Sequence, residues 1–320
     1  MRIALTYNLR RDAREACAEF DSRETIASIA SIVRRLGHEV TPLDVTGSIP
    51  RVITALAKIR PGLVLNLAEG ERGAFREAFY PALFEQLGYP HTGSSASVLA
   101  LCLDKALAKR VVAAAGVRVP AGILVRDRDH AVEVPLPALV KPNFEGSSKG
   151  ITLASVVTTR QRLGPLVGHL LDRYASGLLV EEFVDGIDVS VAWVDGLGML
   201  PAIAYRYPAT ERFAIYDYAL KHEVPERVVV EIPARLEREV ADRLDDAAAR
   251  TFDALGVAGY GRADFRITPD GEVVFLEMNP LPSLSPDDID LYGAAAACGK
   301  TPQDLFAAIL DDRRTDQQVA

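Results

Sequence analysis

The stretch from residue 259 to 286, GYGRADFRITPDGEVVFLEMNPLPSLSP, decides how the rest of the chain is read. Two apolar-rich runs, Tyr260 to Thr268 and Glu272 to Met278, flank the turn signal Pro269-Asp270-Gly271, so a β-hairpin is expected. With Asp270 and Gly271 as a two-residue turn, Pro269 pairs with Glu272, Asp264 faces Glu277 and Arg262 faces Asn279. Strand side chains alternate, which puts all four of these site residues on one face. Directly opposed Cβ atoms lie roughly 4.5–5.5 Å apart, where two carboxylates repel. A divalent cation reverses the sign of that interaction. Asp, Glu and Asn oxygens without His or Cys suit a hard ion, Mg²⁺ or alternatively Mn²⁺. Arg262 adds a fixed positive charge suited to phosphate. The plain alternative is a solvated face whose charges pair elsewhere, and a three-residue turn would shift the pairing.

The chain has 320 residues, enough for two or three structural units with a substantial core. Hydrophobic residues make up 49% and charged ones 25%, the composition of a globular protein. A formal charge of −8 argues against nucleic acid as a main partner. Cys17, Cys102 and Cys298 are too few and too scattered for a disulfide framework. The opening MRIALTYN has an apolar core too short for a signal peptide, and no run approaches membrane-spanning length. A cytoplasmic protein with no membrane partner is expected.

In chain order, residues 1–95 alternate strand and helix signals. Ile3 to Tyr7, His38 to Val45 and Leu63 to Leu67 read as strands. Arg23 to Leu36, Arg51 to Ile59 and Arg76 to Leu87 read as helices, with Gly37 and Gly88 as terminators. This order predicts a parallel, doubly wound α/β unit, with ligands near Asn8 to Arg11 and Ala68 to Gly73 at the strand ends. No GxGxxG follows the first strand, so a dinucleotide site is not supported. A second unit, 96–177, opens with a helix over Ser97 to Ala115 and holds the strand Ala138 to Lys141. The loop after it, from Asn143 to Gly150, is rich in Gly and Ser that let backbone N–H groups converge on an anion, with Lys141 and Lys149 adding charge. The third unit, 178–320, opens as an antiparallel meander of Leu178 to Val184, Ile187 to Val194 and Met199 to Tyr205. Arg206 to Pro225 reads as a covering loop, and Ala234 to Leu255 as a helix ahead of the hairpin.

The five histidines show no metal-ligand spacing, no GxSxG elbow is present, and no Cys pair is spaced C-x-x-C. Covalent catalysis by a side chain therefore has no positive signal.

Seven motifs in order carry a resemblance. They are Leu103-Asp104-Lys105, Val140-Lys141-Pro142, Gly146-Ser147-Ser148-x-Gly150-Ile151, Val180-Glu181-Glu182-Phe183-x-x-Gly186-x-Asp188, Tyr216-Asp217-Tyr218-x-x-Lys221, Gly261-Arg262-x-Asp264-Phe265 and Glu277-x-Asn279. Together they resemble the ATP-grasp superfamily, and within it the D-alanine–D-alanine ligases. The resemblance implies an N-terminal α/β domain followed by central and C-terminal domains that sandwich ATP. It implies that Lys105 and Lys141 contact phosphates, and that the loop Glu145, Gly146, Ser147, Ser148 closes over them. Glu181, Glu182, Phe183, Val184 and Leu276 would hold the adenine, and Asp188 the ribose. Lys221 would reach the terminal phosphate, and Asp264, Glu277 and Asn279 would bind two Mg²⁺ ions. Ser148, Lys221 and Arg262 would act in catalysis, with Glu24 binding a substrate amine. The implied reaction joins a small carboxylate to an amine through an acyl phosphate, by positioning and charge neutralisation.

The substrate side departs from the family. Where the ligases carry His-Gly and then Gly-Glu-Asp-Gly, this chain reads Asn66-Leu67-Ala68-Glu69-Gly70-Glu71-Arg72-Gly73. Ser283 stands at a family Gly, and Asp288 at the family Ser that holds the acceptor carboxylate. An ionised Asp repels a carboxylate, so an acceptor other than D-alanine is expected, either neutral or cationic. An ordinary D-alanine–D-alanine ligase, a cyclising or phosphotransferring ATP-grasp enzyme, and a non-catalytic nucleotide-binding protein are the competing readings. Family habit implies a homodimer through the N-terminal domain.

Overall fold

The computed structural model describes residues 1–12, 14–130, 132–207, 213, 215–286 and 289–311. The first unit alternates β1 (Arg2–Tyr7), α1 (Arg23–Arg35), β2 (Glu39–Asp44), α2 (Ile49–Ile59), β3 (Leu63–Leu67) and α3 (Arg76–Gln86). Its strands pair in parallel in the order β2-β1-β3. All of β3 and most of β1 are buried, as strands covered on both faces must be. Ser22 caps α1 by accepting from the Thr25 N–H at 3.0 Å, and Ile26, Ile29 and Val33 form its buried stripe.

The helix expected over 97–115 is two helices, α4 (Ala96–Leu103) and α5 (Lys105–Ala114). Asp104 divides them: its side chain accepts from the Leu107 N–H at 3.1 Å and from Asn143 Nδ2 at 2.7 Å. An aspartate that caps a new helix is a stronger local instruction than the continuing apolar pattern, and it leaves Lys105 at the first helical position.

The central sheet contains β4 (Gly122–Val125), β5 (Ala138–Pro142) and β6 (Val156–Val157), followed by α6 (Arg160–Arg173) and β7 (Leu178–Glu182). These strands run antiparallel in the order β4-β7-β5-β6, with Leu163 and Val167 of α6 packed on Val140 and Val180. The expected meander is therefore corrected: β7 pairs with β4 and β5, not with β8 (Ile187–Val194). The turn signal at Asp185-Gly186 does mark a turn, but one that carries the chain from one sheet to another. The sheets change hands there rather than at residue 177.

The last sheet continues with β9 (Gly198–Met199), β10 (Ile203–Arg206), α7 (Tyr218–His222), β11 (Val229–Glu231), α8 (Arg238–Leu255), β12 (Tyr260–Ile267) and β13 (Val273–Asn279). Its order is β11-β10-β8-β12-β13, with β9 beside β8. Helices α9 (Ile289–Ala297) and α10 (Pro302–Leu310) close the described chain. On one face, Leu244, Ala248 and Phe252 of α8 pack with Ala108 and Val112 of α5 against Phe265 and Phe275. Thus residues 96–114 share the core of the last sheet. On the other face, Val194 and Tyr260 meet Leu291 and Phe306, and the same cluster reaches Ile29 and Val33 of α1. No described helix is long and apolar enough to cross a membrane.

The hairpin turn differs from expectation by one residue, and the strands correct it. The Thr268 N–H donates to the Glu272 carbonyl at 3.0 Å, and the Gly271 N–H to the Thr268 carbonyl at 2.8 Å, with Gly271 at φ +79°. That is a three-residue loop whose third position needs left-handed backbone. Phe265 therefore pairs with Phe275 and Ile267 with Val273. A bulge at Leu276 then restores the pairing of Asp264 with Glu277 and of Arg262 with Asn279. Leu276 and Glu277 both end up half-buried, so two successive side chains can face the same space.

Candidate active site

A cavity of about 710 Å³ opens over this hairpin. Its floor includes Arg262, Asp264, Leu276, Glu277 and Asn279. Arg262 makes a two-pronged pair with Asp264, both contacts at 2.8 Å, and Ser190 Oγ donates to Asp264 at 2.7 Å. Glu277 pairs with Lys105 Nζ at 3.1 Å. Burial pushes the Asp264 carboxyl up, more than Arg262 lowers it. Burial opposes the Glu277 charge as well, but Lys105 and Lys141 outweigh it and hold that carboxyl at about 2. Asn279 Oδ1 accepts from the Leu281 N–H at 3.0 Å and keeps a second lone pair. Oxygen donors from three residues, with two carboxylates in register, fit a Mg²⁺-type ion.

The break at Asp104 aims Lys105 into the cavity, where its Nζ also donates to the Glu145 carbonyl at 2.7 Å. Gly146, Ser147 and Ser148 line the same wall. Ser147 and Ser148 hold φ values of +50° and +56°, and consecutive left-handed residues turn their N–H groups to one side, a shape suited to phosphate. Such conformations cost on the order of 1–3 kcal/mol each and need support. Ser148 Oγ supplies some by donating to the Tyr216 carbonyl at 2.7 Å, and Glu15 by accepting from the Gly150 N–H at 2.8 Å. Glu145 itself points off the cavity wall, its carboxylate 2.5 Å from Lys149 Nζ. Lys221 enters from α7, with Nζ 6.0 Å from the centre of the Tyr216 ring.

Glu181, Glu182, Phe183, Val184 and Asp188 form the far wall. Glu181 is 1% exposed and lies 2.8 Å from Lys141 Nζ and 3.1 Å from Lys109 Nζ. Burial raises the Glu181 carboxyl, and the two lysines more than reverse it. Burial lowers Lys109 to about 8 in spite of Glu181. Asp188, expected at a ribose, is held by Arg266 Nε at 2.5 Å and the Tyr207 hydroxyl at 2.6 Å. Arg266 also donates to the Val184 carbonyl at 2.9 Å, which fixes the backbone between these two positions.

The fourth wall belongs to the first unit, and here the sequence reading needs correction. Glu24 is exposed in the first turn of α1 and does not line the cavity. The cap at Ser22 sets the helix phase, turning Thr25 inward and Glu24 out. The acidic groups that do face the cavity are Glu19, Asp21, Glu69 and Glu77. Glu19 takes both oxygens to Arg76 Nη2 at 3.1 Å and one to Lys149 Nζ at 2.6 Å. Carboxylate oxygens of Glu19, Glu69 and Glu77 lie within 4.8 Å of one another. Burial pushes Asp21 and Glu77 up to about 7 and Glu69 well above its usual range, with Glu77 and Glu19 adding to the last. Arg76 and Glu77 read only as the start of a helix, so their role as an internal pair had no local signal. The segment 66–73, set apart as a departure, does reach the cavity through Leu67 and Glu69.

Ser283 lies on the cavity rim, exposed, while Asp288 falls outside the described residues. The sequence reading missed Asp290, in the first turn of α9. It meets Arg262 Nη1 at 2.6 Å through one oxygen and the Tyr205 hydroxyl at 2.5 Å through the other.

Comparison with known proteins adds three findings. The family model described as D-ala D-ala ligase C-terminus matches residues 126–311. The chain is 33% identical to the D-alanine--D-alanine ligase of Desulforudis audaxviator over 307 residues, 92% of this chain and 90% of that one, and 33% identical to that of Gluconobacter oxydans over 270 residues, 83% of this chain and 86% of that one. The crystal structure of D-alanine--D-alanine ligase from Bacillus anthracis superposes with a TM-score of 0.81 at 21% identity, covering 99% of both chains.

Proposed function

Because the chain belongs to the D-alanine–D-alanine ligase family, ATP-dependent ligases that form a carbon–nitrogen bond, we propose that it joins a small carboxylate to a small amine other than ordinary D-alanine. The observation that carries the ligase reading is the convergence of Lys105, Lys141, the Ser147-Ser148 loop and the Asp264–Glu277 pair on one cavity. The departures at Asn66 to Gly73 and at Asp288 motivate the change of acceptor.

In this reading a substrate carboxylate oxygen attacks the γ-phosphorus of ATP, and ADP leaves. The amine nitrogen then attacks the acyl carbon, phosphate departs, and the amine releases a proton. Lys105 and Lys141 neutralise phosphate oxygens, and the backbone N–H groups of the 146–150 loop cradle them. Arg262 faces the charge that develops on the oxygens of the reacting acyl group. Asp264, Glu277 and Asn279 would hold Mg²⁺, two ions in this proposal with Mn²⁺ as a substitute, which supplies further neutralisation of the transferring phosphate. Glu181 to Val184, Leu276 and Asp188 enclose the nucleoside. Closing the 146–150 loop and Lys221 over the site excludes water, to which an acyl phosphate is vulnerable.

Assembly as a homodimer through the first unit is part of the same proposal, supported by Phe75 and Phe79, 66% and 46% exposed at the start of α3. A monomeric sedimentation profile would remove it.

The deciding experiment measures phosphate release from Mg·ATP across carboxylates and amines, singly and in pairs. Amine-dependent release with amide as product supports the ligase reading. Fastest release with D-alanine alone would overturn the change of acceptor. Multiple turnovers without any amine would replace the ligase by a phosphotransfer or cyclisation reaction.

A further inference from the structure

Asp290 carries an assignment that no motif supplies. An aspartate in the first turn of a helix ordinarily serves the helix dipole from a solvated position. Here the side chain is 15% exposed, lines the cavity and commits one oxygen to Arg262 and the other to Tyr205. A carboxylate withdrawn from water to this extent needs such charge-assisted bonds.

The consequence falls on Arg262. A guanidinium has five N–H groups. Two donate to Asp264 and one to Asp290, which leaves two. These three side chains set one cation against two carboxylates, and were Asp264 to hold Mg²⁺ as proposed above, Arg262 would still be paired with Asp290. A carboxylate arriving at this edge of Arg262 would meet a cation already neutralised and an Asp290 oxygen in the way. An amide N–H or an amine would meet a carboxylate able to accept. Ser283, on the rim of the same cavity, offers a neutral hydroxyl.

We infer that Asp290, positioned by Tyr205, selects the acceptor of the ligase, favouring an amine that bears no free carboxylate beside it, such as a simple amine or an amino acid carboxamide, over a free α-amino acid. This rests on the ligase reading above and deepens it.

The test compares kcat/KM for matched acceptors, each amino acid against its own carboxamide, using the carboxylate that gives the fastest phosphate release. Wild type, Asp290→Asn and Tyr205→Phe are measured after a thermal melt confirms folding. The wild type is expected to prefer the carboxamide by at least about tenfold. Asp290→Asn is expected to abolish or invert that ratio, with most of the change in KM for the acceptor. Tyr205→Phe is expected to keep the preference with a smaller ratio, and it serves as the second variant should Asp290→Asn fail to fold. A wild-type ratio near one, or a preference for the free amino acid, overturns the inference and leaves the ligase intact. So does an Asp290→Asn variant in which both acceptors slow equally, which would make Asp290 a support for Arg262 alone. No release with any pair, from protein that still binds Mg·ATP, overturns the ligase reading and the inference together.

Discussion

Asp264 lies directly opposite Glu277 across the hairpin, one carboxylate bound to Arg262 and the other to Lys105. Each of the two carboxylates thus has a cation of its own at the floor of the cavity. Glu277→Gln removes one anion and leaves Lys105 facing a neutral amide. Phosphate release is expected to fall by at least about 100-fold. The melting temperature without Mg²⁺ should also fall, because the buried Lys105 loses its partner, while the further stabilisation that Mg·ADP gives the wild type should disappear. A variant that still gains stability from Mg·ADP would remove Glu277 from the metal site.

Glu181 is wedged between Lys109 and Lys141 in the interior. Replacing it by Gln leaves two buried ammonium groups with only the more distant Glu277 as counter-charge, and a loss of about 3–5 kcal/mol is expected in urea unfolding. Lys109→Met should cost less, because Lys141 still pairs with Glu181. Equal losses in the two variants would contradict this account of the triad.

Gly186 has φ +147°, and a Cβ built there would stand 2.1 Å from the Ile267 carbonyl oxygen. Backbone cannot retreat as a flexible side chain can. Gly186→Ala is expected to cost more than about 2 kcal/mol and to raise the KM for ATP, since Val184 and Asp188 sit on either side. Gly47→Ala is the control: φ is +100° but nothing lies within 4 Å, so only about 1 kcal/mol is expected. Similar losses at both sites would mean that strain alone, and not the contact with Ile267, sets the cost.

Burial raises Asp21 to about 7 in the folded protein, against Arg10, while the unfolded chain keeps an ordinary carboxyl. The folded state therefore binds its proton more tightly. This contribution is fully present below about pH 4 and is lost as the pH rises towards 7, with a slope of up to about 1.4 kcal/mol per pH unit. Asp21→Asn should reduce the fall in stability between pH 5 and 7 by the Asp21 share, leaving the shares of Glu69 and Glu77, as followed by urea midpoints at each pH. An unchanged slope would show that Asp21 keeps its charge in the fold.

The hairpin shows how sequence and structure divide the work. The shared face of Arg262, Asp264, Glu277 and Asn279 was legible because strand alternation is local. The register that aligned them was reached through a turn one residue too short, and the bulge at Leu276 supplies the missing residue. Lys105 was legible as part of a motif, but its direction follows from the helix break at Asp104. Glu24 was misplaced because it was matched to a family glutamate without regard to the cap at Ser22 that turns it outward. Asp185-Gly186 announced a turn, yet nothing local tells whether a turn closes a hairpin or passes between sheets.

By itself, then, the sequence determined the α/β and ATP-grasp character, and it picked out the 146–150 loop and the shared face of the hairpin as candidates for phosphate and metal, since each rests on periodicity or on the order of short motifs. Only the tertiary structure decided which acids face the cavity. Glu19 is brought to Arg76, 57 residues away, and Asp290 to Arg262 and Tyr205, 28 and 85 residues away. An aspartate in the first turn of a helix has the same local environment whether it meets water or a guanidinium. The docking of α9 against the last sheet, driven by burial of side chains such as Leu291, settles which one it meets.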